Sequence, residues 1–531
     1  MAHFTRINSS LRVCAIAAFS AWLASGCGGS SGGLAQGNAR HACEVLAGKT
    51  IANAALTTTV VGASAEVPEY CKVSGKIGAS LNFEMRLPNQ WNGRLHYWGG
   101  GGYNGSIPPL TGSDASSRLP LVALERGFIT VSSDSGHQGS SLDASFARRD
   151  PAAARMYGSL SVPTVMASAV KVVEAAYGSP PAKAYFEGCS NGGREALMAV
   201  QRNPKLFDGV IARAPGYNAV GFIGHFHLTA KDLAAPGGML SEGKIKLIAS
   251  RVRGACDALD GISDGIVSNA AACTPELVGM ETLRCDGGAD MGDSCLSDAQ
   301  MKVVTDWTSD VNWNGSPTFH NKGWSLSGNE DYPGVWDAWL TGMGNVRYSA
   351  RYLLQDTTIR NYMESDPGVD SLAYSPYDQN PGRLVAAGAM NDATDADISP
   401  FLDNGGKLIF WHGGADPALS TRSTAVYYQH VRAAVGVDKA DAATRLYFAP
   451  GVGHCAGGPG ADTSDLLAAL DAWSSQKVAP STLVAVKRDG EGWQVFDRPL
   501  CAYPQYPRYV GPKGDALAAS HAANYRCVVD Q

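Results

Sequence analysis

The sequence is poor in charge and has no excess of basic residues. Charged residues make up 17% of the 531 residues, hydrophobic residues make up 45%, and the formal net charge is −6. This composition excludes an intrinsically disordered, highly charged chain. The lack of a basic footprint argues against a nucleic-acid-binding protein. A chain of this length can bury a complete hydrophobic core.

The sequence also lacks any Cys-x-x-Cys pair, although it contains 12 cysteines. Because structural zinc sites typically use that spacing, its absence disfavours zinc. Cys14 and Cys27 lie in the N-terminal segment, and ten cysteines remain for the folded chain. An even number of cysteines in an exported chain is typical of disulfides. Sequence spacing alone leaves their connectivity open.

Residues 1–26 are typical of a signal for export. The apolar run Val13 to Ala24 is too short to cross a bilayer. Small residues then lead into Cys27, which a bacterial lipoprotein signal would place first in the mature chain, with a lipid attached. Cleavage nearby without a lipid, for example after Ala35, is the alternative. We expect an exported protein, either an outer-membrane lipoprotein or a periplasmic or secreted one, with a flexible Gly/Ser-rich linker over 27–42.

Apolar strands alternate with helical segments, which predicts an α/β fold with a parallel sheet. Between about residues 225 and 394 this alternation stops, and the chain has four cysteines and little regular periodicity. We interpret 225–394 as a lid domain inserted into a catalytic domain made of residues 43–224 and 395–531. The predicted strands are Leu81–Leu87, Arg94–Trp98, Phe128–Ser133, Asp208–Ala212, Lys407–Trp411, Arg445–Phe448 and Thr482–Val486.

Gly188-Cys189-Ser190-Asn191-Gly192 fits the G-x-S-x-G pattern of a nucleophile elbow. It follows an apolar strand and precedes a helix, which is the context that this motif requires. A glycine-rich βα turn with an incidental serine is the alternative. An α/β-hydrolase then needs an acid and a histidine, in that order, after later strands. Asp416 and His454 each follow a predicted strand, so Ser190, Asp416 and His454 form the predicted triad.

The oxyanion of the reaction needs backbone N–H donors. One predicted donor is Asn191, which directly follows the nucleophile, and the other lies in the glycine run Gly99 to Gly102. A flexible surface turn is the alternative for that run. His412 precedes the acid in the chain, and we interpret it as structural.

Two cysteines adjoin the predicted triad, since Cys189 precedes Ser190 and Cys455 follows His454. If the serine hydroxyl and the imidazole are within hydrogen-bond reach, these cysteines are close enough to form a disulfide. Such a bond would hold the nucleophile and the histidine loop in register.

With these motifs the chain resembles the tannase/feruloyl esterase family, which is characterised by a CS…D…HC triad with that disulfide. The resemblance extends from about Cys43 to Cys527. It implies an α/β-hydrolase fold with an inserted lid and serine hydrolysis of aromatic carboxylic esters. It favours Gly102 as the second oxyanion donor beside Asn191. The supporting motifs are Trp91-Asn92-Gly93-Arg94, Gly99 to Gly102, Gly188 to Arg194, Ala214-Pro215-Gly216, Gly453-His454-Cys455 and Cys501-Ala502-Tyr503-Pro504.

The resemblance also implies five disulfides and a structural calcium ion in the lid. The segment Asp257 to Ile266 places three carboxylates within eight residues, and these repel one another unless a cation or solvent neutralises them. A solvated acidic turn is the alternative. By resemblance, the calcium ligands are the side chains of Asp257, Asp260 and Asp264 and the carbonyls of Ile262 and Ile266. The implied pairs are Cys43–Cys71, Cys189–Cys455, Cys256–Cys273, Cys285–Cys295 and Cys501–Cys527.

The substrates that the resemblance implies are small esters of hydroxycinnamic or gallic acids. The family also includes a hydrolase of mono(2-hydroxyethyl) terephthalate, which is the alternative activity. That enzyme uses a phenylalanine just after the triad acid, whereas this chain has Leu419 three residues past Asp416. A non-catalytic, surface-anchored lipoprotein that binds such esters is the alternative of another class. Lid candidates for packing on the substrate ring, with lid core as their alternative role, are Trp336, Trp339, Tyr348 and Tyr374.

Overall fold

A ten-stranded β-sheet organises the fold. The computed structural model describes residues 38–65, 67–112, 121–313 and 320–529, so the predicted signal 1–26 and Cys27 lie outside the described residues. The sheet strands are β1 Thr50–Ile51, β2 Ala54–Val61, β3 Tyr70–Ile77, β4 Leu81–Pro88, β5 Arg94–Trp98, β6 Ile129–Ser133, β7 Lys183–Cys189, β8 Gly209–Arg213, β11 Lys407–Gly413 and β12 Thr444–Ala449. Three separate pairs are formed by β9 Val311–Asn312 with β10 His320–Asn321, β13 Leu483–Arg488 with β14 Gln494–Leu500, and β15 Tyr506–Tyr509 with β16 Tyr525–Val528.

The sheet is antiparallel on one side and parallel on the other, in the order β1-β2-β3-β4-β6-β5-β7-β8-β11-β12. Neighbours from β1 to β4, and β4 with β6, pair antiparallel. The strands from β6 to β12 in that order pair parallel. The prediction of a parallel sheet is therefore confirmed for this side and wrong for the N-terminal side. Short connections such as residues 78–80 allow only antiparallel neighbours, whereas parallel strands need a crossover.

Helices cover both faces of the sheet and form most of the predicted lid. The α-helices are α1 Ala39–Leu46, α2 Ser145–Arg149, α3 Pro151–Arg155, α4 Ser161–Tyr177, α5 Asn191–Arg202, α6 Ala219–Ala234, α7 Glu242–Cys256, α8 Pro275–Val278, α9 Asp298–Thr308, α10 Ala350–Thr358, α11 Pro376–Gln379, α12 Gly382–Asn391, α13 Ser399–Asp403, α14 Thr421–Val435, α15 Val437–Ala443, α16 Leu466–Gln476 and α17 Ala516–Ala519. Shorter π or 3₁₀ segments are Met156–Leu160, Asp257–Asp260, Met280–Leu283, Asp286–Gly288, Asp337–Thr341, Val346–Tyr348, Ile359–Met363 and Ala522–Asn524.

The parallel strands are almost fully buried because helices pack on both of their faces. Every residue of β6 and β8 is buried. One face shares the largest hydrophobic cluster with α4, α5 and α14. The other face packs on α16, around the side chains of Trp411 and Tyr447. This layering fixes the carboxyl ends of the parallel strands, where the site is built.

The apolar spacing from Val162 to Val173 predicts a helix, and the structure confirms it as α4. The helix ends at Gly178, whose φ of 79° is the left-handed conformation that glycine adopts easily. The continuous helical stretch Pro151–Tyr177 is long and apolar enough, by composition, to cross a membrane, and 56% of its most apolar window is buried. Its apolar face packs in the main core, as the central helix of a folded domain does.

A second hydrophobic cluster contains buried residues between Val220 and Ala387 only. It joins α6, α7, α9, α10 and α12, so this region has more regular structure than its weak periodicity indicates. The helices are short and several begin at serine caps, as α9 does with the reciprocal Ser297–Gln300 capping box. The domain division stays a prediction, and its boundary between residues 224 and 225 falls inside α6.

Five disulfides cross-link the described chain. They are the same five pairs that the family resemblance implies: Cys43–Cys71, Cys189–Cys455, Cys256–Cys273, Cys285–Cys295 and Cys501–Cys527. Disulfides persist in oxidising compartments, so this set indicates an exported protein.

Candidate active site

Ser190 lies in a sharp turn between β7 and α5. Its backbone has φ 62° and ψ −116°, a strained conformation for a residue with a side chain and one typical of a nucleophile elbow. The N–H of Ser190 donates to the carbonyl of Arg213 at 3.0 Å, and the N–H of Gly216 donates to the Ser190 carbonyl at 3.1 Å. A Cβ on Gly188 would lie 2.7 Å from the backbone of Gly192, so only glycine fits there.

Asp416 and His454 meet beyond the carboxyl ends of the neighbouring strands β11 and β12. His454 Nδ1 lies 2.7 Å from Asp416 Oδ2. The other carboxylate oxygen, Oδ1, accepts the N–H of Ala418 at 2.7 Å and that of Leu419 at 3.0 Å. The structure therefore brings together the acid and the histidine that the sequence predicts, and it fixes the orientation of the imidazole.

His412 contacts the same Asp416 carboxylate as His454 does. Its Nε2 lies 3.0 Å from Asp416 Oδ2, and its Nδ1 lies 2.9 Å from the hydroxyl of Thr424. Burial of Asp416 opposes ionisation, but the attraction of His454 and the hydrogen bond from His412 hold the pKa of this carboxyl well below its usual range. The acid is therefore an anion between two imidazoles. His412 precedes Asp416 by four residues, and β11 ends between them. This spacing was the available sequence signal for a contact between the two side chains, and it was not used to predict one.

The disulfide between Cys189 and Cys455 joins the two halves of the predicted triad. The Cα atoms are 5.9 Å apart, although 266 residues separate the cysteines in sequence. Both cysteines are buried and pack on Ala214. Because Ser190 and His454 adjoin these cysteines, the covalent bond holds their backbones close together.

Gly102 and Asn191 line the same cleft as Ser190. The side-chain hydroxyl of Tyr157 lies 2.9 Å from the Gly102 carbonyl oxygen and 2.8 Å from Asn191 Oδ1, so its hydrogen can serve either acceptor. Gly102 has φ 54°, and a Cβ there would lie 2.4 Å from the Ser141 carbonyl oxygen. The geometry thus brings together the two predicted oxyanion donors and adds Tyr157, which no sequence motif marks.

Arg194 supports this side of the site from within the protein. Its Nε donates to Asn191 Oδ1 at 2.8 Å, and its Nη1 and Nη2 donate to the carbonyls of Gly158 at 2.7 Å and Tyr157 at 3.0 Å. The guanidinium also lies 4.7 Å from the centre of the Tyr157 ring. These contacts fix the residue that follows Ser190, which is the role expected of a supporting group around a predicted nucleophile.

The predicted lid contacts the residue that follows Asp416 and the ring of His454. Arg351 of α10 is fully buried, and its Nε and Nη2 donate to the Pro417 carbonyl, next to the acid, at 3.0 and 2.8 Å. Its guanidinium stacks on Trp307 and Trp324, about 4 Å from each ring centre. The ring of Trp339 lies edge-on to His454 with the centroids 5.1 Å apart. The loops that carry Asp416 and His454 are therefore packed against the predicted lid.

A cleft leads to Ser190. Its lining is mainly apolar and aromatic, and includes Tyr103, Phe222, Phe226, Trp339, Leu354 and Leu419.

Of the four predicted ring-binding residues, only Trp339 lines this cleft. Trp336 is buried in the lid core against Trp307, because a large apolar side chain gains most by full burial. Tyr348 is 72% exposed, and the Tyr374 hydroxyl donates to Glu364 at 2.9 Å. Sequence reasoning could not separate these roles, since each depends on the fold.

The acidic loop that was expected to bind calcium follows α7. Asp257 Oδ1 accepts the N–H groups of Asp264 at 3.2 Å and Gly265 at 3.1 Å, and Asp264 Oδ2 accepts Arg498 Nη2 at 2.7 Å. Asp260 is buried, and its Oδ2 has no hydrogen-bond partner within the described chain.

Burial raises the pKa of Asp260 to about 6, which is the effect of a missing counter-charge. The N–H groups of Ile262 and Ile266 donate to Asp260 and Asp264 at 3.2 and 3.1 Å. Over the described ranges, no three His, Cys, Asp or Glu side chains are grouped closely enough to hold a metal ion. The loop therefore fits the implied calcium ion in part. Asp260 has a buried carboxylate oxygen without a hydrogen-bond partner, whereas the carboxylates of Asp257 and Asp264 already accept hydrogen bonds.

Comparisons with known proteins match nearly the whole chain. The profile described as "Tannase and feruloyl esterase" matches residues 60–528. The mono(2-hydroxyethyl) terephthalate hydrolase of Piscinibacter sakaiensis is 32% identical over 92% of this chain and 89% of its own length. A probable feruloyl esterase B-2 of Aspergillus terreus is 28% identical over 84% of both chains.

A solved structure has the same fold. The crystal structure of feruloyl esterase B from Aspergillus oryzae matches with a TM-score of 0.77 over 92% of this chain and 99% of that one, at 23% identity. The predicted α/β-hydrolase fold is thereby confirmed. This protein belongs to the tannase and feruloyl esterase family, and it is a carboxylic ester hydrolase.

Proposed function

We propose that the protein is a secreted serine esterase that cleaves esters of hydroxycinnamic or gallic acids through an acyl-enzyme. The observation that carries this proposal is the Asp416–His454 pair, 2.7 Å apart and tied by a disulfide to the nucleophile turn. An aromatic cleft leads to Ser190. A non-catalytic binding protein would not need an oriented imidazole beside a strained serine.

In acylation, neutral His454 accepts the proton of Ser190 as the serine oxygen bonds to the ester carbonyl carbon. The oxyanion that forms accepts hydrogen bonds from the backbone N–H groups of Asn191 and Gly102. His454 then gives the proton to the departing alkoxide, and the ester C–O bond breaks. Asp416 holds the imidazole through Nδ1 and stabilises the imidazolium.

Deacylation repeats the same steps with water as the nucleophile. Water gives a proton to His454 as its oxygen bonds to the acyl carbon, and the oxyanion is again held by the two N–H groups. The Ser190 oxygen then leaves with the proton from His454, and the free acid is released. The products are one carboxylic acid and one alcohol.

The cleft lining favours a neutral aromatic acyl group over a terephthalate monoester, which carries a carboxylate. Among the described lining residues, the one cationic side chain is Arg194, whose nitrogens already donate to Asn191, Gly158 and Tyr157. Leu419 lines the cleft where the terephthalate alternative would place an aromatic ring. A substrate carboxylate would therefore enter the cleft without a free positive partner, which is costly.

We expect kcat/KM for methyl ferulate or methyl gallate to exceed that for mono(2-hydroxyethyl) terephthalate by about 10-fold or more, because burying an unpaired carboxylate costs more than a 10-fold change, ~1.4 kcal/mol. Initial rates with the three esters measure this. Equal or faster hydrolysis of the terephthalate ester would assign the alternative substrate. No hydrolysis of any of the three, by folded protein, would contradict the proposed function.

We also propose a structural calcium ion at the acidic loop, on the support of the free, buried Asp260 oxygen and its two acidic neighbours. A bound cation stabilises the folded chain by a free energy that grows with the logarithm of its concentration over its Kd. Chelation, with metal removal verified by elemental analysis, should lower the Tm by several degrees, and added Ca²⁺ should restore it. Mg²⁺ is the matched control, since it fits a loop of this kind poorly. An unchanged Tm in metal-free protein would contradict the proposed structural calcium ion.

For the exported form, we propose a lipid on Cys27 as the means of membrane attachment, which would make the protein an outer-membrane lipoprotein. The support is the small-residue approach to Cys27 after a short apolar run. One acyl chain alone gives weak anchoring, so stable attachment requires more than one.

A further inference from the structure

A buried ion pair joins two neighbouring strands of the sheet near the predicted nucleophile. The Nε of Arg213, at the end of β8, donates to Glu187 Oε1 in β7 at 2.6 Å, and the two residues are 3% and 6% exposed. Side chains two residues apart on a strand share a face, and Tyr185 and Ile211, which precede the pair by two residues, pack with α16. The pair therefore lies on the face of the sheet opposite α5.

The pair is charged, which makes it an inefficient way to stabilise a core. Burial opposes ionisation of Glu187, but the attraction of Arg213 and the hydrogen bond from His96 lower the pKa of this carboxyl to about 2. Taking two charges out of water costs free energy, so apolar side chains of similar volume often stabilise a core as well or better. Unlike apolar contacts, however, the pair forms a hydrogen bond of fixed length and direction between β7 and β8.

The backbones of the same two residues hold both predicted catalytic segments. The Arg213 carbonyl accepts the N–H of Ser190 at 3.0 Å. The Glu187 carbonyl accepts the N–H of Gly99 at 2.9 Å, and Gly99 is the first residue of the glycine run that ends at Gly102. A shift of one strand end against the other would therefore move Ser190 relative to the oxyanion donors.

We propose that Glu187 and Arg213 are positioning residues for ester hydrolysis, which set the distance between the Ser190 turn and the glycine run. Neither side chain lines the cleft that leads to Ser190, so the pair acts through the backbone. His96 extends the network to β5, the strand that runs into the glycine run, because its Nε2 lies 3.3 Å from Glu187 Oε2. This inference rests on the proposed function, which assigns Ser190 as the nucleophile.

The test replaces the ion pair with apolar side chains of similar volume, in the double variant Glu187→Leu, Arg213→Met. Because apolar packing can replace a buried ion pair without loss of stability, the Tm should stay within about 5 °C of the wild-type value. We expect kcat for a chromogenic aromatic ester to fall by about 10-fold or more, since rate falls steeply when reacting groups are misplaced. KM should stay within about 2-fold, because an interaction that positions reacting groups acts on kcat.

Arg213→Lys decides the question if the double variant does not fold. Lysine keeps the positive charge, but it lacks the planar guanidinium whose central carbon lies 5.3 Å from the centre of the Trp411 ring. A role in charge balance alone would therefore keep kcat in this variant. A positioning role predicts a fall in kcat of about 10-fold with KM unchanged. Steady-state kinetics at a temperature well below the Tm measure both constants.

Lys244→Met is the matched control for lost stability. Lys244 is buried in the predicted lid and pairs with Asp290 at 2.9 Å, but it lies on α7 and does not line the cleft. Its replacement breaks the ion pair of a buried cation, so the Tm should fall. The values of kcat and KM should stay at the wild-type level well below that Tm. A loss of kcat as large as in the double variant would show that kcat follows stability, and would overturn the positioning role.

The outcomes also separate the positioning role from the esterase activity. Wild-type kcat in the folded double variant overturns the positioning role and leaves the proposed function standing. A raised KM with unchanged kcat does the same, because it assigns the pair to substrate binding. Failure of folded wild-type protein to hydrolyse any aromatic ester overturns the proposed function, and the positioning role with it.

Discussion

Replacing Ser190 with alanine is expected to lower kcat by on the order of 10⁴- to 10⁶-fold, the effect seen when a triad nucleophile is removed. In the proposed mechanism the serine oxygen forms the acyl bond, and no other hydroxyl occupies the turn between β7 and α5 in the described chain. Residual turnover would come from oxyanion stabilisation and substrate binding alone. Hydrolysis of a chromogenic aromatic ester measures the loss.

The fold should be unaffected by this change. Alanine keeps the Cβ of serine, so it occupies the strained backbone at φ 62° as serine does. The Tm should therefore stay within about 2 °C of the wild-type value, as expected for a change of a few tenths of a kcal/mol. Activity near the wild-type level in Ser190→Ala would take Ser190 out of the chemistry.

Removing the disulfide next to the triad is expected to have the second largest effect. In the double variant Cys189→Ala, Cys455→Ala, the unfolding free energy should fall by about 2 to 5 kcal/mol. The value should lie at the upper end because 266 residues separate the cysteines. We also expect kcat to fall by about 100-fold, since a shift of ~1 Å between reacting groups has an effect of that size. Denaturant unfolding and steady-state kinetics measure the two losses.

The pair Cys285–Cys295 provides the matched control. It closes a segment of only 10 residues, and neither cysteine lines the cleft. Its double alanine variant should lose less stability and keep the wild-type kcat. If both double variants lowered kcat equally, the bond between Cys189 and Cys455 would have no special role in positioning the triad.

The predicted triad could be proposed from the sequence because each of its residues has a local signature. Ser190 lies in a G-x-S-x-G turn, and Asp416 and His454 each follow an apolar strand. The adjoining cysteines gave a distance constraint between parts of the chain far apart in sequence, and the Cα separation of 5.9 Å agrees with it.

The supporting residues could not be predicted, because their contacts arise only when distant elements pack. Tyr157 reaches Gly102 and Asn191 from a π-helical segment with no motif. Arg351 reaches the loop of the acid from the lid, 66 residues away in sequence. Hydrophobic periodicity indicates which face of a helix or strand is buried, but it does not indicate which residues that face contacts.

Strand directions in the sheet and the positions of the lid aromatic residues could not be predicted from the sequence for the same reason. Apolar runs located the central strands to within a residue or two, yet strand direction depends on the length of the connections, which made β1 to β4 antiparallel. The predicted strand Thr482–Val486 exists as β13 but pairs in a separate hairpin with β14. Among the lid aromatic residues, composition alone gave no means of distinguishing Trp339 in the cleft from Trp336 in the core.

Covalent labelling of the native protein with a fluorophosphonate, followed by peptide mapping, tests the central claim most directly. A serine that an oriented imidazole activates reacts with this probe, whereas ordinary serines do not. We predict one adduct, on the peptide that contains Ser190, and its disappearance when a hydroxycinnamate ester competes. An unlabelled Ser190 in folded, disulfide-intact protein, or an adduct on a different serine, would contradict the account.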